Sequence, residues 1–549
     1  MRVGQGEMGP FSLSGETSSS TNLRRLSRFR MLLTVAVCGV ATVLFYSVLL
    51  FTGSLSGNDW SSHHFHYFDW VRRSLVDHQT LPLYMATAWI TPNFLANAEA
   101  PQLSPLVVLM PLFSTGVYLK LLIVGFATLG SVGMLLLLRD LSVSTPVAVL
   151  ATVVFVGNGF FPSHLAIGHP WAMGGYLLPA LLCLFRRAVL GNRSAWVAAV
   201  ALNALTILGG QHQPFIWQNL FLATVAGVWC ATERSVRPLL VWGGFTLASA
   251  GLGAIKLIPL WVEFADYAPT AKTVGLPLAS LGFSLLSRGQ GVETSVPGLD
   301  FSHGSGWWEW AFYVGPVGGL LLVLSIFARG CWPLWIAGGS FAVLAVAWPV
   351  GLRALDLWPL LEDLPVWRTQ RSPSRFLLLS VFAFSVAGAL GAQRFYDWSQ
   401  RRWPMATLAA FVTAALLAGA DAFSQSLTWQ REGVGAPIES IDPRPRPLRI
   451  TGEGGARAEL VEFAPNRLVY RAEARQTATL VLPLWHRPDK DEWQIEGASL
   501  GSRENRLAVE LEPGNRELIL VYRPRGVVAG AVISAVSAAL GVFCLWRRR

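Results

Sequence analysis

The sequence predicts an all-α polytopic membrane protein of about twelve transmembrane helices that carries a small C-terminal β-sandwich lobe. Three observations lead there. The 549 residues are 52% hydrophobic and only 14% charged, with a mean hydropathy of +0.45, far from the composition of a soluble domain. Apolar stretches near the roughly 20 residues needed to cross a hydrocarbon core recur along almost the whole chain. One late segment, 423–526, holds 30 of the 76 Lys, Arg, Asp and Glu residues and reads instead as short strands.

In chain order, residues 1–30 are Gly- and Ser-rich without apolar period and read as a disordered cytoplasmic tail. The multispanning body, 31–422, begins with a span at 31–52 that is too long and uninterrupted for a cleaved signal. Further spans are expected at 117–138, 145–162, 171–185, 195–210, 215–231, 238–258, 310–328, 332–350, 376–392 and 404–422. Outer loops then fall at 53–116, 259–309 and 351–375. The lobe, 423–526, contains "NRLVYRAEA", "TATLVLPLW", "NRLAVELE" and "RELILVYR", separated by turn formers such as Pro465-Asn466 and Pro513-Gly514-Asn515. Residues 527–549 make the last span, at 527–546, and a basic cytoplasmic end.

Arginines set the orientation. They stand at Arg24, Arg25, Arg28 and Arg30, then in every second loop: Arg139, Arg186 with Arg187, Arg234 with Arg237, Arg329, Arg394 with Arg401 and Arg402, and Arg547 to Arg549. By the positive-inside rule these sides are cytoplasmic, so both termini lie inside. The same scatter accounts for the net charge of +10 and argues against a nucleic-acid partner. The five cysteines lie in or at the ends of apolar spans without CxxC spacing, which supports neither a disulfide framework nor a zinc site.

The span cores, as drawn, contain no Asp, Glu, Lys, Arg or His. Ion-coupled carriers usually keep such groups at mid-depth, so chemistry is expected at the outer rim. There "GNDWSSHHFHYFDW", 57–70, follows the first span. Trp60, Tyr67, Phe68, Val71 and Leu75 fall on one helical stripe, with His66, Asp69, Arg72 and Arg73 mostly off it, so 60–76 is expected to lie as a helix in the membrane interface, anchored by its aromatics. Asp59 precedes that helix. It is either an N-cap or a general base at the membrane surface, and both readings stay open at this point. His63, His64 and His66 are either metal ligands or polar-face residues.

A second constellation is "RTQRSPSRF", 368–376, where Ser372 is placed as N-cap and Pro373 at the first helical position. Arg368, Arg371 and Arg375 crowd this helix start, a combination suited to phosphate, although pairing with Glu362 or Asp363 explains them equally. "GHPWAM" and "GGQHQPF" set His169, His212 and Gln213 at other outer helix starts, as sugar or acceptor ligands or as caps. Glu99, Glu263, Asp266 and Glu309 add outer carboxylates, each a candidate second acid or metal ligand.

The run from "GNDW" through "FDWVRRSLVDHQTLPLYMATAWITPNFLANAEAPQLSPLVVLMPLF" resembles the first outer loop of bacterial YfhO-like membrane proteins. "GGQHQPF" is similar to their "GhPq" turn, "RSPSRF" to their arginine-bearing entry into a late span, and "LVLPLWHRPDKDEWQIEG" with "LEPGNRELILVYRP" to their closing β-lobe. "PLYMATAWI" departs from the pattern in lacking its Trp-Asn-Pro. The resemblance implies a GT-C glycosyltransferase fold, acting on a sugar carried by a polyprenyl phosphate and delivering it to a glycan, lipid or protein acceptor in contact with membrane lipid. Asp59 would match the catalytic base, and Arg371 and Arg375 the phosphate end. No second catalytic carboxylate is matched. No cofactor is obligatory on this reading, and a divalent cation, Mg or Mn, is compatible with it. The rivals are a non-enzymatic lipid-linked glycan transporter or flippase and a membrane assembly factor. The location expected on either view is a bacterial cytoplasmic membrane with the site facing outside.

Overall fold

The computed structural model describes residues 23–546 apart from 88–90, 266–274, 291–305, 349–351, 353–354, 362–363, 365–366, 368–369, 371, 453–454, 487–492, 497 and 505. Arg368, Arg371, Asp266, Glu362 and Asp363 therefore lie outside the described residues, as does the tail before Leu23. The chain is mostly helical with a C-terminal β-rich region, the architecture of a multi-pass membrane protein.

Among the described residues, seven helices are long and apolar enough to cross a membrane: Thr115–Asp140, Thr145–Ile167, Pro170–Val189, His212–Glu233, Trp307–Phe327, Pro373–Gln400 and Pro404–Glu432. Arg237–Leu252 and Ala254–Phe264 meet at 82° and make an eighth if taken as one broken span. Gly253 ends the first of these, and Pro259 sits inside the second. Of the other four expected spans, two coincide with apolar helices of 16 and 14 residues, Arg193–Leu208 and Trp332–Ala345, and the first and last coincide with the helices Leu23–Phe45 and Val527–Trp546, of 23 and 20 residues. The 16 residues of Arg193–Leu208 rise roughly 24 Å, short of a hydrocarbon core of about 30 Å. Among the described residues, length and composition thus mark seven or eight of the expected twelve spans.

Local sequence explains where helices begin. The Ser114 hydroxyl accepts from the Val117 amide, and the Asn192 side chain accepts from the Ala195 amide at 3.0 Å, so both cap free N–H groups. Pro146, Pro170, Pro238 and Pro404 stand in first turns, where a missing N–H costs nothing. The Pro373–Gln400 helix is 83% buried and forms the hub of the body. Its Gly388 and Gly391 lie against the Leu321 and Leu324 carbonyls, where a Cβ would come within 2.1 and 2.0 Å. Small residues at such crossings let helix backbones approach when no water is present to drive association.

The first loop corrects one expectation. Residues Trp60–His64 form a π-helical turn that continues as an α-helix over Phe65–His78. The stripe residues Trp60, Tyr67, Phe68 and Val71 are buried, but in the protein core rather than in a lipid interface. His66 and Asp69, expected on the polar face, are buried as well. Asp69 accepts from Thr115 Oγ1 at 2.9 Å and Ser440 Oγ at 2.7 Å, and pairs with Arg73 at 3.0 Å. The helix is clasped between body and lobe, so its aromatics are packing residues and not a membrane anchor.

The lobe is a pair of antiparallel sheets over one core of Leu, Val, Tyr and Trp side chains. One sheet orders Arg449–Thr451, Arg457–Ala464, Arg467–Ala474, Gly514–Tyr522 and Trp493–Glu496; the other orders Ser499–Arg503, Arg506–Leu511 and Ala478–Trp485. The first loop feeds this core directly. Tyr84 packs on Trp493 and Tyr522, Trp70 donates to the Tyr84 carbonyl at 3.0 Å, and Ser54–Leu55 pairs as a short strand with Val434–Gly435. Asn466 bridges the two parts: its Oδ1 accepts from the Leu83 amide at 2.6 Å and its Nδ2 donates to the Leu81 carbonyl at 2.9 Å. Asn466→Ala is expected to cost about 1–3 kcal/mol, the penalty of leaving partly buried backbone groups unsatisfied. Thermal unfolding in detergent checks it, and a melting temperature equal to the parent's would remove Asn466 as the bridge.

Candidate active site

Two turns of the chain interlock to place Asp59. Gly57 sits so close to the Ala166 carbonyl that a Cβ would come within 2.0 Å of its oxygen. On the opposing turn Gly168 has φ +113° and faces the Trp60 amide, where a Cβ would lie 2.1 Å from the nitrogen. Only glycine adopts that φ without strain and also leaves that space. The indole N–H of Trp60 donates to the Leu165 carbonyl at 2.8 Å and locks the contact.

Asp59 stands at the cap position of the Trp60–His64 turn, yet its side chain makes no capping hydrogen bond. Its Oδ2 instead accepts from His169 Nε2 at 2.6 Å, and its Oδ1 accepts from Asn58 Nδ2 at 3.2 Å. The geometry therefore does not support the cap reading. Burial raises the Asp59 pKa, but the His169 hydrogen bond and the nearby imidazoles outweigh it and hold the carboxyl below its ordinary range. Burial pushes His169 down despite Asp59 beside it. Both directions describe an anionic Asp59 receiving an N–H from a neutral imidazole at neutral pH.

From His169 the network runs inward. Its ring stacks on Trp171 at 5.0 Å and lies 5.3 Å from His164, whose Nδ1 donates to the Phe160 carbonyl at 2.9 Å. His164 Nε2 is 3.9 Å from Glu309 Oε2. Glu309 receives Arg375 in a two-pronged ion pair, with Nε to Oε2 at 2.7 Å and Nη2 to Oε1, while Arg375 Nη1 donates to Gln213 Oε1 at 2.6 Å. The guanidinium also lies over Trp171, 4.6 Å from the ring centre. Asp59, His169, Glu309, Arg375 and Gln213 thus form one connected cluster from five distant parts of the chain. Arg375 pairs with Glu309 among the described residues, so much of its fork is already engaged. Ser372 does occupy the cap position before Pro373, without a side-chain cap bond, and a 3₁₀ turn over Pro373–Phe376 precedes the long helix.

A second arm adjoins the first. His64 Nε2 donates to Glu99 Oε2 at 3.0 Å, and the His64 ring lies 4.1 Å from His63 and 6.3 Å from His169. Glu99 is raised by burial, but the charge and hydrogen bond of His64 and the closeness of His212 bring it well below the ordinary range. Burial holds His63 down to about 4. Gly210, φ +78°, admits the Glu99 carbonyl at a distance that a Cβ would reduce to 2.4 Å. Glu263, a candidate sugar ligand in sequence, is instead buried and accepts from Thr91 Oγ1 at 2.9 Å.

Sequence reasoning passed over several ionisable groups inside helices, Lys120 and Asp421 together with His164 and Lys256. His164 enters because the Thr145–Ile167 helix runs five residues beyond the expected 162. Lys256, fully buried at the broken span, donates its ammonium to the Ala100 carbonyl. It was visible as the one charged residue between 238 and 258, and it corrects the expectation of uncharged spans. A narrow pocket joins Glu99, Trp171 and Gln211 to Tyr118, Leu122 and Phe126 of the Thr115–Asp140 helix. No family model matches the chain, and no curated protein matches it.

Proposed function

We propose that the protein is a GT-C-type membrane glycosyltransferase that moves a sugar from a polyprenyl phosphate to an envelope glycan, lipid or protein acceptor. The observation that carries the reading is Asp59: an acid at a helix start that caps nothing and is held ionised by His169. In the reaction an acceptor hydroxyl attacks the anomeric carbon, Asp59 takes its proton, and the bond to the phosphate oxygen breaks with its electron pair leaving on the lipid phosphate. One displacement of this kind inverts the anomeric centre. His169 fixes the carboxylate so that a lone pair of Oδ1 faces the acceptor. Arg375, with Arg371 and Arg368 on the same segment, stabilises charge on the departing phosphate. His212, Gln213 and Glu309 line the same cluster as sugar or acceptor ligands.

In this reading the remaining four apolar helices complete twelve spans, with a locally thinned bilayer at Arg193–Leu208 and Trp332–Ala345. Both termini lie in the cytoplasm of a bacterial cell, and the Asp59 cluster faces outward across the cytoplasmic membrane. One observation favours the rival of a lipid-glycan carrier or an assembly factor: Glu309 and Gln213 already occupy Arg375. Purified protein in lipid, offered a panel of polyprenyl-phosphate sugars, separates the two. The parent is expected to release polyprenyl phosphate, and Asp59→Asn to do so at least about 10²-fold more slowly, the lower end of general-base catalysis. Equal rates in a folded variant would hand the argument to the rival.

A further inference from the structure

The first loop offers a second chemistry that does not depend on the transferase reading. His63, His64 and Glu99 each present a donor atom, and these atoms lie within 4.8 Å of one another. One pair is already at 3.0 Å, His64 Nε2 to Glu99 Oε2. Around a tetrahedral ion with bonds of about 2.0–2.1 Å, neighbouring ligand atoms stand roughly 3.3 Å apart. The third donor is thus within a small side-chain rotation of a closed triad. We propose that His63, His64 and Glu99 bind a divalent transition-metal ion of the zinc class.

The backbone accounts for the unusual convergence of two adjacent histidines. On a regular α-helix, neighbours point about 100° apart and do not share a ligand. Here both lie in the five-residue π-helical turn Trp60–His64, and their rings come to 4.1 Å with a 44° tilt. Such widened turns occur preferentially at functional sites.

The donor set also selects the ion. Two imidazoles with one carboxylate are the ligands of open zinc sites, which keep a fourth position for water or substrate, whereas magnesium favours oxygen donors and its own water shell. The Mg or Mn suggested by sequence resemblance would therefore be the poorer guest. His63 is held from outside the triad by Ser62 Oγ, 2.7 Å from its Nδ1, which leaves Nε2 as its ligand atom and orients the ring. Asp59 and His169 stand beside the triad, His169 with its ring 6.3 Å from that of His64. A bound ion would tie the Trp60–His64 turn to the Asn97–Glu99 segment and set a positive charge next to the Asp59 cluster.

The test uses full-length protein without a histidine tag, stripped with chelator, reloaded with zinc chloride alone and desalted, with metal measured by elemental analysis. The parent is expected to retain about one zinc per chain. His63→Ala, a half-buried position whose loss spares the fold, and Glu99→Gln are each expected to weaken zinc affinity at least about tenfold. Cobalt loading gives an independent readout, an intense visible band in the parent that both variants lose. Retention of less than a tenth of an equivalent by the parent, or equal retention by parent and both variants, overturns the proposal.

Discussion

Gly168→Val is expected to destabilise the protein by about 2–6 kcal/mol and to part Asp59 from His169. Two costs combine. A non-glycine residue at φ +113° stores roughly 1–3 kcal/mol of backbone strain, and a Cβ 2.1 Å from the Trp60 nitrogen forces the two turns apart at roughly 1–3 kcal/mol of overpacking. Because Asp59 and His169 sit one residue from these contacts on either side, any separation of the turns lengthens their 2.6 Å hydrogen bond. Thermal unfolding and sugar transfer should both fall. A stable Gly168→Val variant with full transfer would mean that the interlock of the turns does not position Asp59.

Glu309→Ala is the second large effect. The carboxylate neutralises Arg375, whose side chain is only 12% exposed, and removing it leaves a buried guanidinium with Gln213 as its remaining neutral partner. Breaking such a pair from one side costs roughly 3–5 kcal/mol, while replacing both partners by apolar groups of similar size is often neutral. The double variant Glu309→Leu with Arg375→Met should therefore regain most of the stability that Glu309→Ala loses. Transfer should stay absent in the double variant if Arg375 meets phosphate, and should return if the pair serves only to hold the fold. Chemical denaturation together with donor binding reads both.

The two cases also show what the residue order could disclose. Periodicity identified Trp60, Tyr67, Phe68 and Val71 as one face, but a period says which side chains share a face and not what covers it, so a face buried against the lobe was read as one lying on lipid. Strands 467–474, 478–485, 506–511 and 514–522 were legible because alternating Val, Leu and Tyr stop at Pro465-Asn466 and Pro513-Gly514. Span number was less so, since apolar composition does not reveal that helices such as Trp332–Ala345 stop after 14 residues. Asp59, His169, Gln213, Glu309 and Arg375 were each conspicuous as polar residues at helix starts. Their meeting was not, because Asp59 and His169 stand 110 positions apart and Glu309 and Arg375 stand 66 apart, and a single sequence carries no signal of distant contact. Arg375 was accordingly matched with acids a few residues away, and its actual partner came from another helix.

The pairing of Ser54–Leu55 with Val434–Gly435 carries a consequence in time. The strand that fixes the entrance of the first loop is translated some 380 residues before its partner, and the Asn466 bridge to Leu81 and Leu83 comes later still. On a ribosome making roughly 5–20 residues per second, that interval lasts about 20–80 seconds. During it His169, Glu309 and Arg375 arrive in succession while Asp59 waits without its clasp. The first loop is thus held from the body side by Gly57 and Gly168 long before the strand at Val434–Gly435 and the Asn466 bridge close it from the lobe side.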